Sequence, residues 1–218
     1  MTPIALGFRA GRGGSVVVGV AADRPLPRVV LSTFLATAAE GDRLAFEPYQ
    51  VAYEMPRGEG GGPTAEAAAT VAEGRRRQAA LAATGLAAVS DRLKREGFRP
   101  AVAALLINRA GWMTDLLEHS LSAPEHPPVA EGLAVRAALR TAFAGLGLDV
   151  VEMDEKSLRE SAALKLPLAS GQIDIELNAF GATVGRPWRK EQKAACLAAW
   201  VAAAALWGGP PSALSRGC

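Results

Sequence analysis

The stretch PIALGFRAGRGGSVVVGVAA, residues 3–22, decides the fold. Two apolar runs, residues 4–8 and 16–21, flank a glycine-rich segment at residues 10–15. β-Branched and aromatic residues on both sides of glycines, which tolerate positive φ, predict a β-hairpin. Because side chains alternate along a strand, we expect the first strand to have two distinct faces. Those faces consist of Ile4, Leu6 and Phe8 on one side and of Ala5, Gly7 and Arg9 on the other.

Working outward, the sequence predicts a third strand at residues 28–35 and then a long helix over residues 64–96, capped by the Thr64 hydroxyl. The apolar run AVAALLIN, residues 101–108, is typical of a strand buried on both faces in a parallel position. A helix over residues 129–146, a strand over 149–153, a helical piece over 173–180 and a helix over 189–206 follow. Residues 45–55 are expected to pack over a sheet edge, and residues 112–121 to form a short helix.

The resulting order is β-β-β-α-β-α-β-α, which predicts an α/β protein with one mixed five-stranded sheet and helices on both faces. The first strand is expected to be central, between the second and the fourth, with the fifth beyond the fourth. We expect residues 1–207 to form a single domain and residues 208–218, GGPPSALSRGC, to be a flexible tail.

The composition excludes several classes of protein. Half of the 218 residues are hydrophobic and the net charge is only +2, so any nucleic-acid site must be a local patch. Two cysteines make neither a disulfide framework nor a zinc site, and Cys196 is interpreted as an inert core residue. The start of the chain does not resemble a signal peptide, and the apolar run at residues 194–207 is shorter than the roughly 20 residues of a membrane span. We therefore expect a cytoplasmic protein without a membrane partner.

The predicted order is that of the ribonuclease H-like fold, and particular segments strengthen this. The first hairpin resembles that of Holliday-junction resolvase-like nucleases, and residues 187–200, PWRKEQKAACLAAW, resemble the last helix of the same superfamily. A closer resemblance is to a family of bacterial proteins that brings no established activity. The segments that carry it are GFRA at 7–10, AEG at 130–132 with Arg136, PWR at 187–189, EQK at 191–193 and AAW at 198–200.

The superfamily resemblance implies where catalytic carboxylates would lie. Two-metal nucleases of this fold need them on strand one, at the end of strand four and on the last helix, to hold two divalent ions. The matching places are Gly7 or Arg9, Asn108, and Lys190 or Lys193, and none of them is acidic. Lys and Arg do not ligate Mg²⁺, and Glu191 alone does not make such a site. The resemblance therefore implies that the standard mechanism is lost, and we predict no metal and no cofactor.

The replacements share a positive charge. Arg9, Arg12, Lys190 and Lys193 are predicted to converge beside the glycine-rich turn as an anion-binding site. The alternative is that they are ordinary surface charges, with Arg9 paired to an acid such as Glu131.

The remaining candidates are acidic or aromatic. Glu131 and His126 are a candidate acid/base pair, or Glu131 simply favours the start of a helix. Asp154 and Glu155 follow the fifth strand, where open α/β sheets bind ligands; the alternative is that they only begin a helix. Glu191 is a further candidate catalytic acid.

Two tryptophan- and arginine-containing segments are also open to two interpretations. Trp188 is predicted either to stack on a nucleic-acid base or to anchor the last helix. Three consecutive arginines, residues 75–77, are interpreted as solvated helix surface, the alternative being a binding patch. The sequence contains no P-loop, nucleophile elbow or dinucleotide fingerprint in the right context.

Three functions remain compatible with these residues. The first is a catalytically degenerate ribonuclease H-like protein that binds a phosphate-rich ligand, such as nucleic acid. The second is a nuclease or phosphotransfer enzyme with a shifted acidic site at Glu131, Asp154, Glu155 or Glu191. The third is a structural or partner-binding module that uses the last helix as an interface. The sequence does not predict the oligomeric state.

Overall fold

The computed structural model describes residues 1–21, 27–108, 113, 115–166, 168 and 170–207. Its strands are β1 (Thr2–Gly11), β2 (Gly14–Ala21), β3 (Arg28–Ala36), β4 (Phe98–Ile107) and β5 (Asp149–Asp154). They form one five-stranded sheet in the order β3-β2-β1-β4-β5. The first three strands pair antiparallel, whereas β1–β4 and β4–β5 pair parallel. The predicted topology is confirmed, with β1 at the centre.

Helices complete the described part of the chain. They are α1 (Arg43–Phe46), α2 (Pro48–Tyr53), α3 (Ala65–Arg95), α4 (Leu116–Ser122), α5 (Pro127–Gly145), α6 (Leu158–Lys165), α7 (Ser170–Val184) and α8 (Lys190–Trp207). The Thr64 hydroxyl accepts a hydrogen bond from Ala67 N, which confirms the predicted start of α3. Residues 208–218, the predicted tail, lie outside the described residues, and the single domain over residues 1–207 stays a prediction.

The first hairpin turns through Arg12 and Gly13, with Gly11 and Gly14 paired at its base. Gly13 has φ +75°, a left-handed conformation that glycine adopts without strain. The glycine-rich segment is thus explained by the turn itself.

One sequence prediction is wrong in detail, and one alternative is decided. Residues 45–55 do not cover a sheet edge but form parts of α1 and α2, which pack on α3. Gly74 makes this possible, because a Cβ there would lie 2.5 Å from Pro48 Cβ and 2.6 Å from Leu44 O. The charged segment after β5 leads into α6, which agrees with the alternative that Asp154 and Glu155 precede a helix; α6 is held by the burial of Leu158 and Ala162.

The sheet is buried on both faces. Ile4, Leu6 and Phe8 pack with residues of α3 and α5, whereas Ala5 packs with residues of α6, α7 and α8. The alternation predicted for β1 is therefore confirmed. Cys196 is fully buried in the second of these cores, and burial raises the pKa of its thiol, as expected for an inert residue. None of the helices in the described residues is long and apolar enough to cross a membrane.

Candidate functional site

The carboxyl ends of β1, β4 and β5 meet at one edge of the sheet. Arg9 pairs with Leu106, and Leu106 pairs with Met153, so these three residues form one row across the parallel strands. Asn108 follows β4, and Glu155 extends β5 through a hydrogen bond from its N–H to Ile107 O, 2.9 Å. Open α/β sheets bind ligands at such an edge, which makes it the first place to look for a site.

Arg9 lies between two carboxylates at this edge. Its Nε donates to Glu155 Oε1 over 2.7 Å, and its Nη1 lies 3.8 Å from Glu191 Oε1 at the start of α8. All three side chains are about one-third exposed or less. The alternative of a paired Arg9 is therefore supported, although its partners are Glu155 and Glu191 and not Glu131.

Gly7, the other candidate position on strand one, is covered by α8. A Cβ at Gly7 would lie 1.9 Å from Ala195 O and 2.9 Å from Ala199 N, both backbone atoms of the helix. No side chain of any kind fits between strand and helix there. A carboxylate on the middle of β1 is thus excluded by the packing itself.

The residues at this edge do not fit the pair of divalent ions that the fold family implies. A permanently charged guanidinium occupies the space between the two carboxylates and uses their oxygens. Asn108 supplies only a neutral oxygen at the end of β4. Across the described parts of the chain, no group of three or more His, Cys, Asp or Glu side chains is placed to hold a metal ion.

Basic side chains line a cleft next to Glu155. Lys190 and Lys193 from α8 face Lys156 and Arg159 across a volume of about 440 Å³. Lys193 donates to Asn178 Oδ1 over 2.7 Å, Arg159 pairs with Asp174, and the Lys190 side chain is 86% exposed. Two of the four predicted anion-binding residues therefore share one cleft, beside the Arg9–Glu155 pair.

Arg12 does not join this group, which corrects the prediction of a four-residue site. It lies at the tip of the hairpin and lines a separate cleft, stacked over Phe46 with its guanidinium carbon 5.9 Å from the ring centroid. Its Nη1 is 3.3 Å from Glu47 Oε2. Phe46 at the end of α1 and Glu47, between α1 and α2, are therefore the contacts that hold the Arg12 guanidinium.

Glu131 and His126 do not form the predicted acid/base pair. Glu131 is fully buried, and its Oε1 accepts hydrogen bonds from the N–H groups of Tyr49 and Gln50 over 2.7 and 3.1 Å. His126 Nδ1 instead lies 2.8 Å from Ser122 Oγ, and its ring stacks on His119. Each residue is held by its own neighbours, and no hydrogen bond links the two.

The environment of Glu131 changes its protonation. Burial raises the pKa of Glu131 to about 7, although the hydrogen bonds from the Gln50 and Tyr49 N–H groups lower it. Its second oxygen, Oε2, is buried without a hydrogen-bond partner among the described residues. Glu131 therefore acts as a structural residue that joins α5 to α2.

Asp154, another candidate acid, ends β5 and accepts a hydrogen bond from Lys156 N over 3.0 Å.

Trp188 packs closely against α7, because a Cβ added at Gly181 would lie only 2.3 Å from its ring. Its indole Nε1 donates to Leu177 O over 2.7 Å. These contacts favour the interpretation of Trp188 as an anchor for α8 over that of a stacking platform.

Arg136, which the sequence analysis named only as part of a resemblance and not as a candidate site residue, lies on the α5 side of the sheet, opposite α8. Arg136 on α5 is only 6% exposed, and its Nε donates to Leu106 O over 3.2 Å. Of the arginines interpreted as solvated, Arg76 and Arg77 do pair with Glu73, whereas Arg75 lines a large cavity together with Arg136. The signal for Arg136 was a charged residue among the apolar residues of an alanine-rich helix, but the sequence does not reveal its neighbours in space.

Comparisons with solved structures identify the fold. RuvC from Thermus thermophilus superimposes with a TM-score of 0.50 at 14% identity, covering 94% of this chain and 96% of RuvC. A structure of T. thermophilus RuvC in complex with a Holliday junction substrate gives a TM-score of 0.53 at 12% identity, with the same coverage. No protein-family model and no curated protein matches the sequence. The chain thus has the ribonuclease H-like fold of the RuvC-type resolvases, as the resemblance of its first hairpin implied.

Proposed function

We propose that this chain is a catalytically degenerate ribonuclease H-like protein that binds nucleic acid through its phosphate backbone. The observation that carries the proposal is the position of Arg9, bonded to Glu155 and close to Glu191 at the carboxyl edge of the sheet. The likeness of the fold to a resolvase solved with its Holliday junction substrate supports nucleic acid as the ligand.

The charge balance at this edge supports binding without catalysis. A divalent ion at the position of Arg9 would need both carboxylates, and these already neutralise the guanidinium. Displacing Arg9 would leave its charge next to the incoming ion. The same arginine therefore both fills the position of a metal and opposes its entry.

The basic cleft supplies the binding surface. Lys156, Arg159, Lys190 and Lys193 line the cleft, and Glu155, the one acidic side chain among its described lining residues, is held by Arg9. Arg159 pairs with Asp174 and Lys190 lies 3.8 Å from Glu191, so among the described residues the positive excess of the cleft comes from Lys156 and Lys193. Lysine side chains bind phosphates as point charges and release counterions from the backbone. Because the net charge of the chain is only +2, this local excess and not the overall charge drives the binding.

The test is a binding titration with fluorescent duplex, four-way junction and single-stranded DNA at several salt concentrations. The double variant Lys190→Ala/Lys193→Ala is compared with Arg92→Ala/Lys94→Ala, which removes the same charge from the end of α3 at the opposite edge of the sheet. We expect the cleft variant to weaken binding by about tenfold or more and to lower the salt slope by up to about 2, since each phosphate contact contributes about 0.9. The α3 variant should bind as the wild type does.

The same DNA substrates test for catalysis in Mg²⁺ or Mn²⁺, and we expect no cleavage. Equal losses in both double variants would show diffuse surface charge and contradict the cleft. Metal-dependent cleavage that disappears in Glu155→Gln or Asp154→Asn would instead establish the shifted acidic site and remove the degenerate assignment.

The third function, a partner-binding module that uses the last helix, receives less support. Residues 195–203 of α8 are buried in the core of the protein, and Trp200 packs edge-on against Phe180 with ring centroids 5.5 Å apart. These described residues are already covered by the sheet and by neighbouring helices, so they do not form an exposed interface.

A further inference from the structure

A large open cavity lies on the face of the sheet opposite α8. It has a volume of about 1010 Å³ and is lined by residues of α2, α3, α4 and α5 and of the ends of β4 and β5. Volumes of about 300–1,000 Å³ are typical of small-molecule sites. The cavity is separated from the basic cleft by the sheet, because α6 and α8 form that cleft on the other face.

The buried end of the cavity carries an uncompensated positive charge. Within the described part of the chain, no carboxylate is within ion-pair distance of Arg136. The two that act on it through space, Glu155 and Glu152, are bonded to Arg9 and Arg140. Arg136 is only 6% exposed, so its charge is poorly solvated; burial lowers the pKa of its guanidinium, yet an arginine stays protonated. A buried guanidinium without a counter-ion is costly unless an anion reaches it.

The other walls provide a second polar group and an apolar surface. Arg75 lines the cavity together with Tyr49, and among the described residues it has no carboxylate within ion-pair distance. Val71, Ile107 and Leu133 line the space between the two arginines. The lining also carries Asn108, the Arg140–Glu152 ion pair and Asp115, whose Oδ1 accepts hydrogen bonds from Leu117 N and Glu118 N. Arg136 and Arg75 are thus the lining cations without a carboxylate partner among the described residues, and they fit a ligand with an apolar body and an anionic group.

We propose that this cavity binds a small organic anion, an aryl or similar apolar group bearing a phosphate or a carboxylate, with Arg136 as the buried anchor of the anion. Arg75 and Tyr49 close the polar end, and the aliphatic residues of α3 and α5 hold the apolar body. The site goes beyond the proposed function, because its ligand is a small molecule and its residues differ from those of the basic cleft.

The test is isothermal titration with three probes of similar shape: 1-naphthyl phosphate, 2-naphthoate and the neutral 2-naphthol. We expect at least one of the two anions to bind about tenfold or more tightly than 2-naphthol, since a charge-assisted hydrogen bond contributes only with the anion. Binding of the phosphate alone, or of the carboxylate alone, would identify the natural class. Equal binding of 2-naphthol, or no binding of either anion, would overturn the proposal.

Variants locate the binding. Arg136→Met should remove the preference for the anion, whereas Arg92→Met on the outer surface should not. Ala137→Phe, which fills the cavity and keeps Arg136, should abolish binding of all three probes and guards against a misfolded Arg136→Met. Lys190→Ala/Lys193→Ala should leave probe binding unchanged, so failure of the nucleic-acid proposal and failure of this one are distinguishable. Anion preference that persists in Arg136→Met would overturn the assignment.

Discussion

Glu131 is the residue whose chemistry the fold changes most. Its carboxyl is enclosed between α5 and α2 and is bonded to two backbone N–H groups, yet one oxygen has no partner among the described residues. The pKa of about 7, raised by burial, lies well above the ordinary value of 4.5. The folded state therefore holds a proton on Glu131 at pH values at which the unfolded chain has lost it.

This difference fixes the sign of a pH dependence. Because the folded pKa is raised, the stabilising contribution is complete below about pH 4.5 and is lost as the pH rises to about 7. Against Glu131→Gln, which stays neutral and keeps an acceptor for Tyr49 and Gln50, the wild type should lose up to about 1.4 kcal/mol per pH unit in this range. Urea unfolding of both proteins at several pH values measures the difference. If the free energies of unfolding of the two proteins change in parallel between about pH 5 and pH 8, the raised pKa of Glu131 is contradicted.

At the scale of elements, the contact between β1 and α8 determines what the site can be. The helix backbone lies directly on the strand at Gly7, and the helix begins next to Arg9 with Lys190 and Glu191. This close packing places Lys190 and Glu191 of α8 at the carboxyl edge of the sheet. Strand β1 contributes Arg9 to the same edge and, at Gly7, a position without a side chain.

The tightness of this contact is testable with two glycines of one strand. Gly7→Ala would place a methyl group 1.9 Å from Ala195 O, whereas a Cβ at Gly11 meets nothing within 4 Å. We expect Gly7→Ala to lower the free energy of unfolding by about 3 kcal/mol or more, because backbone cannot shift as a side chain can. Gly11→Ala should change it by less than about 1 kcal/mol. Thermal and chemical denaturation measure both, and similar losses in the two variants would refute the close approach.

The whole molecule brings together Arg9 from β1, Glu155 from the end of β5 and Glu191 from α8. If Arg9 occupies the place of a metal, Arg9→Asp adds a third carboxylate to the two that it contacted. We expect Mn²⁺ to raise the Tm of Arg9→Asp, since ligands of the native state stabilise it, and to leave the wild type and Arg9→Asn unchanged. A Tm that rises equally in the wild type would show that Arg9 does not block the position.

The sequence was sufficient for the fold but not for the site. Period-two apolar runs, the hairpin turn and the capped helix α3 each have a local signature, and all three were confirmed. The partners of Arg9, Arg12 and Arg136 depend on residues distant in the chain, such as Glu155, which is 146 positions from Arg9. The anion site was predicted from residue type alone. Two of its residues, Lys190 and Lys193, do line the basic cleft, whereas Arg12 lines a different one.

The contact at Gly7 also limits which changes natural selection can make at this edge of the sheet. An aspartate introduced at Gly7 would meet the backbone of α8, so helix and strand would first have to separate. Such intermediates would be poorly folded. We therefore expect inherited changes at this edge to arise at Arg9 or on α8 far more readily than at Gly7.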